Sequence, residues 1–480
     1  MRFPVIVRYT GFVLLLNAAF MLAAAAVSLL QGGEGFWVLI TSAAITAIAG
    51  GIPLPFVKPV EDLTAKEGIS ILAFSWIMSC TFGMLPYLFW GGEFTFINAW
   101  FESVSGYTTT GATVLNHIEQ LPEGLLFWRS ATHWIGGLGV VVMLVLVLPT
   151  MHNLKIRLAK VEISTLSKGN FKFRVQQTAR VICIMFIGLT VLLCGLLMIA
   201  GMDWFDAVNH AFSTIATGGF STRDASIFAF HNGWIELILA VFMIISGMHF
   251  GLLFMAFTGN ARPLWKSPAV RFYLTTMFVG VVLVSLNLYF SRTYDNLFDA
   301  FRYGGFQVLS IGTTSGFATA DTTLWPAFSI LLLFYFTFQC ACAGSTSGGI
   351  KADRIQILFW SIRGYIRKQQ HPNAVVPTRV GGNTLDNDTV YAVLQFVITY
   401  IIVVFLGTIA LSLLGVDLST GFSASAACMG NVGPGFGEAG SSGNYDGIHA
   451  LGKLVLTFEM LLGRLEIYAL LLFLFVKSWR

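Results

Sequence analysis

Charged residues are scarce. Asp, Glu, Lys and Arg make up 11% of the 480 residues, where soluble globular chains carry roughly 25%. With 56% of the chain hydrophobic, too few polar side chains remain to cover the apolar surface, which excludes a water-soluble fold. Cysteine is sparse, and Cys80, Cys183, Cys194, Cys340, Cys342 and Cys428 show neither zinc-site spacing nor a disulfide framework. They read as small buried hydrophobes. Neither a Walker-type phosphate loop nor a dinucleotide fingerprint occurs, so nucleotide binding and ATP-driven pumping should not reside in this chain. The basic residues are spread over short connections, which argues against a nucleic-acid surface.

What the chain has is long apolar runs. Gly11 to Leu30, Phe36 to Phe56, Ile69 to Trp90, Val181 to Met202 and Phe272 to Phe290 reach or approach the ~20 residues that cross a bilayer. They read as spanning helices, because lipid offers backbone groups no other partner. Arg2, Arg8 and the small residues Ala23 to Ala26 also fit a secretory signal peptide, but a retained first helix is the simpler expectation.

Lys and Arg concentrate in cytoplasmic loops of membrane proteins. With the amino terminus inside and spans alternating, the inner side receives Arg2, Arg8, Lys58, Lys66, the cluster from Lys155 to Arg180, Arg262, Lys266, Arg271, Arg354, Arg363, Arg367, Lys368, Arg379, Lys477 and Arg480, or 21 of 28 basic residues. Only Arg129, Arg223, Arg292, Arg302 and Lys453 fall outside. Both termini are therefore expected in the cytoplasm.

Between the spans lie four short segments that end alike: 98–111, 206–219, 303–316 and 420–433. Aligned on the final glycines Gly111, Gly219, Gly316 and Gly433, the position two residues earlier holds Thr109, Thr217, Thr314 and Asn431. Six residues earlier stand Ser105, Ser213, Ser310 and Ala427. Such a register marks an internal repeat. The expected fold is an all-α polytopic membrane protein, with four pseudo-repeats of helix, re-entrant pore half-helix and helix around one central pore, plus two extra N-terminal spanning helices. The divisions fall at residues 1–60, 61–155, 156–260, 261–370 and 371–480.

Segments of this length are too short to cross and suit a re-entrant excursion. A half-helix entering from outside aims its carboxyl end, about half a negative charge, at the membrane's middle. Four such ends favour a cation. The glycine after each helix can take positive φ and turn the chain back outward, presenting carbonyl oxygens that can replace an ion's hydration shell.

The most specific strings are Thr108-Thr-Thr-Gly-Ala-Thr-Val114, Ala216-Thr-Gly-Gly-Phe-Ser-Thr222, Gly312-Thr-Thr-Ser-Gly-Phe-Ala-Thr319, Gly430-Asn-Val-Gly-Pro-Gly435 and Cys342-Ala-Gly-Ser-Thr-Ser-Gly-Gly-Ile-Lys351. In this order they resemble the bacterial Trk/Ktr potassium-transport superfamily, within it the TrkH/TrkG branch, over essentially the whole chain. The resemblance implies a homodimer with one pore per subunit, resting on cytoplasmic nucleotide-binding regulatory subunits of the TrkA type. It also carries a potassium filter onto Thr109, Thr110, Gly111, Thr217, Gly218, Gly219, Thr314, Ser315, Gly316, Asn431, Val432 and Gly433. Asn431 and Val432 depart from the hydroxyl and glycine pattern, with Pro434 following, which puts the likeness of the four sides in question.

After the third segment an apolar run breaks into Cys340-Ala-Cys-Ala-Gly-Ser-Thr-Ser-Gly-Gly349. Glycine, serine and threonine weaken a helix, and irregular backbone at membrane depth must be buried or line water. Gly344, Ser345, Thr346, Ser347, Gly348 and Gly349 are therefore expected to form a gate below the filter. Lys351 and Arg464 should serve with them, because a membrane-buried charge costs at least ~2.5 to 3.5 kcal/mol without a partner. A packing kink is the bland alternative.

His133 and His249 read as packing histidines, and Glu102, Asp206, Asp224 and Asp321 as acidic residues near an outer mouth. Symport of potassium with sodium or protons is the competing transport reading, since such carriers also use repeats and broken helices. An enzyme built on Ser345, Ser347 and His133 would leave the four matched segments without purpose.

Overall fold

The computed structural model describes residues 2–58, 60, 63–147, 175–374 and 376–474. The basic positions from Lys155 to Arg174, Lys477, Arg480 and the expected boundary at 155/156 lie outside them. Among the described residues six helices are long and apolar enough to cross a membrane: Phe3–Leu30, Phe36–Phe56, Lys66–Trp90, Arg180–Ile199, Pro268–Phe290 and Asn387–Leu413. This is a multi-pass membrane protein.

The first two helices pair closely. A side chain at either Gly11 or Gly50 would meet the other's backbone carbonyl, the small-residue contact that lets membrane helices approach. Thr10 to Ser75 and Asn17 to Ser79, both at 3.0 Å, then tie the first helix to Ala65–Gly83. Buried hydroxyl and amide groups thus find partners where lipid would supply none.

Each quarter of the remaining chain carries a long helix, a short helix, a turn and a second helix. The short helices are Phe96–Tyr107, Trp204–Ile215, Leu297–Gly312 and Leu418–Gly430. Each begins on a capping side chain: Thr95 accepts from Asn98, Asp203 from Phe205, Asn296 from Phe298, and Asp417 from Ser419 and Thr420. These caps satisfy amides that the helix itself leaves open.

The second helices diverge. Glu123–Val147 runs unbroken, whereas Gly233–Ser246 and Phe250–Phe257 meet at 109°. Ala327–Phe338 gives way to a loop before Ala352–Gln370, and Ala450–Arg464 breaks before Tyr468–Leu474. Only the loop was expected from the sequence. Most buried apolar side chains gather in two large clusters, one mainly of the N-terminal pair with the first and last quarters, the other mainly of the two middle quarters, and a small third one joins Val380, Leu385 and Val390.

Candidate functional site

The four short helices end identically. The Thr109 amide donates to the Gly106 carbonyl and the Thr110 amide to that of Ser105. The same bonds recur as Thr217 to Thr214 and Gly218 to Ser213, Thr314 to Ile311 and Ser315 to Ser310, and Asn431 to Cys428 and Val432 to Ala427. This paired closure is the Schellman cap, which normally places glycine in the left-handed position. Here that position holds Thr109, Thr217, Thr314 and Asn431, with φ of 51°, 55°, 59° and 52°. A β-branched residue there is a genuine outlier, at roughly 1–2 kcal/mol each. The sequence reading named these three threonines for the filter but did not anticipate their left-handed backbone, because threonine's intrinsic preference points away from that conformation.

Two residues on, Gly111, Gly219, Gly316 and Gly433 again take positive φ, at 78°, 84°, 72° and 95°. Their neighbours establish the order of the turns. A side chain at Gly111 would collide with the Gly218 carbonyl, at Gly219 with that of Ser315, at Gly316 with that of Val432, and at Gly433 with that of Thr110. The contacts run from first turn to second, third, fourth and back to the first, so the ring is closed around one axis. Every residue from Thr109 to Thr110, Thr217, Thr314 to Ser315 and Asn431 to Val432 is buried.

The fourth turn keeps the shared backbone despite its different residues. Asn431 Nδ2 donates to Thr110 Oγ1 and to the Met460 carbonyl, both at 3.0 Å. Its amide thus fastens the last turn to the first. Tyr445 donates to the Gly433 carbonyl at 2.6 Å, a further brace absent from the sequence reading.

The loop between Phe338 and Ala352 lies against the second and fourth turns. Its ends are pinned by a two-residue parallel bridge, Gln339 with Ile350 and Cys340 with Lys351. Thr346 Oγ1 donates to the Ile215 carbonyl at 3.2 Å and lies 3.2 Å from Thr217 Oγ1. A side chain at Gly348 would strike Asn431, and one at Gly344 would strike His249. Ser345 and Ser347 share a hydrogen bond at 2.9 Å, and Ser345 donates to the Cys342 carbonyl at 2.7 Å. Gly344 and Gly349 take the positive φ that the loop's reversals require.

Arg464 is 5% exposed and donates to the Thr346 carbonyl at 2.6 Å and the Gly136 carbonyl at 3.0 Å. Among the described residues it has no carboxylate within ion-pair distance, so its charge faces carbonyls alone. Lys351 differs: its Nζ lies 2.8 Å from Glu466, which Arg354 also binds. Glu466 sits in the break after Arg464, where it and Ile467 take φ of 56° and 53°. The sequence reading had not singled it out.

The acidic residues expected near the mouth are not simply solvated. Glu102 is fully buried and pairs with Arg129 at 2.6 Å, while Asp206 pairs with Arg223 at 2.7 Å. Glu102 also accepts from Thr113 and the Val114 amide, so it braces the chain beyond the first turn. Asp224, Arg129 and the four glycines line one vestibule. His133 stacks on Phe220 with centroids 4.0 Å apart and sits 3.3 Å from Ser213. His249 caps Phe250–Phe257 by accepting the Gly251 amide. Both histidines pack, and among the described residues no cluster of three metal-ligating side chains occurs.

Four capped short helices closing a ring of main-chain turns inside a multi-pass bundle define a membrane transport protein rather than an enzyme. The chain belongs to the TrkH family, described as cation transport protein, whose model matches residues 35–479. It is 35% identical over 484 residues to the Trk system potassium uptake protein TrkH of Escherichia coli K12, covering 100% of both chains. Against TrkG of the same organism it is 34% identical, covering 99% of this chain and 98% of the relative. The crystal structure of the potassium transporter TrkH from Vibrio parahaemolyticus superposes with a TM-score of 0.91 at 35% identity, covering 100% of both.

Proposed function

We propose that this chain carries potassium into a bacterial cell across the cytoplasmic membrane, through a gated, channel-like pore with both termini in the cytoplasm. The closed ring of glycine-to-carbonyl contacts among the four turns carries this reading. Alternating the sign of φ turns successive carbonyls to one side, where an extended strand would alternate them, and such oxygens can stand in for an ion's water. Residues 109–111, 217–219, 314–316 and 431–433 are then the filter, and potassium is the cargo it strips of water. Relatives named as potassium uptake proteins support the choice of ion.

Residues 344–349 form the gate, with Arg464 holding it closed through the Thr346 carbonyl. A homodimer on TrkA-type nucleotide-binding subunits completes the proposal, and it is those subunits that would move the loop. Symport with sodium or protons is the second reading. It draws on Glu459, a carboxyl buried in Ala450–Arg464.

The test is flux of potassium, rubidium and sodium into vesicles holding the purified protein, under opposed ion gradients at controlled voltage. A reversal potential that follows potassium alone is expected. One that moves with an imposed proton or sodium gradient replaces the channel by coupling, and flux without ion preference overturns the filter.

A further inference from the structure

Glu459 is 2% exposed and pairs with no cation among the described residues. Three helices meet on it. Ser425, on the fourth short helix, places its hydroxyl oxygen 2.7 Å from Glu459 Oε1 and 3.0 Å from the Val404 carbonyl oxygen of Asn387–Leu413. On that same helix, any side chain at Gly407 would collide with Glu459 Oε1, so glycine is what leaves room for the carboxyl.

Proton counting constrains the group. A serine hydroxyl has one proton to donate, and a carbonyl has none. The Val404 carbonyl already accepts from Thr408 Oγ1 at 2.8 Å, and the single Ser425 proton is shared between that carbonyl and Glu459 Oε1. Glu459 Oε2 has no hydrogen-bond partner among the described residues, so one shared hydroxyl is all that the pocket offers the carboxyl.

Among the described residues nothing nearby offers a countercharge. Tyr400 faces the carboxyl from Asn387–Leu413, Cys428 from the fourth short helix and Tyr445 from the segment after the fourth turn, all neutral acids. Phe96–Tyr107 packs on the same helix but engages it through Trp100 to Thr457 and Asn98 to Lys453, while its Glu102 is held by Arg129. On Glu459's own helix, Lys453 turns to Asn98 and Asp446, and Arg464 to two carbonyls. An ionised carboxylate in such a pocket is strongly disfavoured, whereas a hydrogen-bonded acid is accommodated.

We propose that Glu459 is a proton-binding site and, through its hydrogen bond with Ser425, the positioning residue that holds the fourth short helix and its turn at the axis. Its effect on transport rests on the reading of the turns as a filter, but its protonation does not. His133, His249, Glu102 and Asp206 do not play this part, since each has a packing or ion-pair role already.

Two measurements on the full-length protein test the proposal. The infrared difference between wild type and E459Q near neutral pH should contain the carbonyl stretch of a protonated carboxylic acid. A carboxylate stretch in its place overturns the proton site, whatever transport shows. In vesicles, E459Q should keep the potassium-over-sodium preference within about twofold, because its amide keeps the hydrogen bond with Ser425. E459D, one methylene short, should lose roughly tenfold, the scale of one buried hydrogen bond. Gln as damaging as Asp overturns the positioning role. A wild type without ion preference defeats the filter reading instead, and the infrared band still decides Glu459.

Discussion

At the axis the four turns are near copies of one another, while the helices that follow them differ in every quarter. The first runs straight, the second bends by 109°, the third unwinds into a loop and the fourth breaks at Glu466. The turns repeat because a ring closes only if each member presents the same edge to the next. The helices beyond it carry no such constraint, so each could acquire its own break. Likeness marks where an ion would be held, and divergence marks where passage could be controlled.

The sharpest way to break that comparison is to damage one turn and ask whether the other three compensate. Gly219→Ala puts a methyl into the Ser315 carbonyl and forces alanine to positive φ. Rubidium uptake by vesicles should fall by about a hundredfold or more, since ~1–2 kcal/mol of backbone strain adds to a main-chain clash. Uptake near wild type would mean that the turns do not act as one ring. The divergent side is probed by Arg464→Ala, which removes the charge facing the Thr346 carbonyl. Potassium flux should rise about tenfold, equivalent to ~1.4 kcal/mol off a barrier, and unchanged or lower flux at normal expression would remove the gate.

The smallest effect concerns the caps that begin the repeated helices. Hydrogen bonds from Thr420 and Ser419 hold the exposed Asp417 carboxyl down to about 2. Its folded value lies below the ordinary one, so the stabilisation is complete above about pH 4 and fades as pH falls toward about 2. Asp417→Ala should cost about 1 kcal/mol in thermal unfolding at neutral pH. The gap between variant and wild type should narrow in acid.

How much of this was legible in the sequence depended on whether local chemistry or tertiary contact set the backbone. The spans could be read because lipid imposes length and composition. The turns could be found because Gly111, Gly219, Gly316 and Gly433 recur in register, and the loop because Gly344, Gly348 and Gly349 with their hydroxyl neighbours cannot stay helical. Nothing local announces the break at Glu466 and Ile467, which has neither glycine nor proline and rests on ion pairs to Lys351 and Arg354. Glu102 and Asp206 looked like mouth charges because Arg129 and Arg223 are distant in sequence. Asn431 looked like a flaw in the pattern, and its amide instead bridges two turns.

The parallel bridge at the loop's base has a mechanical corollary. With Gln339 fastened to Ile350 and Cys340 to Lys351, the intervening residues form a tab whose two roots stay together. Sideways displacement of Ala352–Gln370 would swing that tab as a unit, sparing the flanking helices any unravelling. Lys351 and Arg354, at the root, both grip Glu466, so the same stroke tugs on the segment carrying Arg464. A latch and its catch would thereby be worked by one lever.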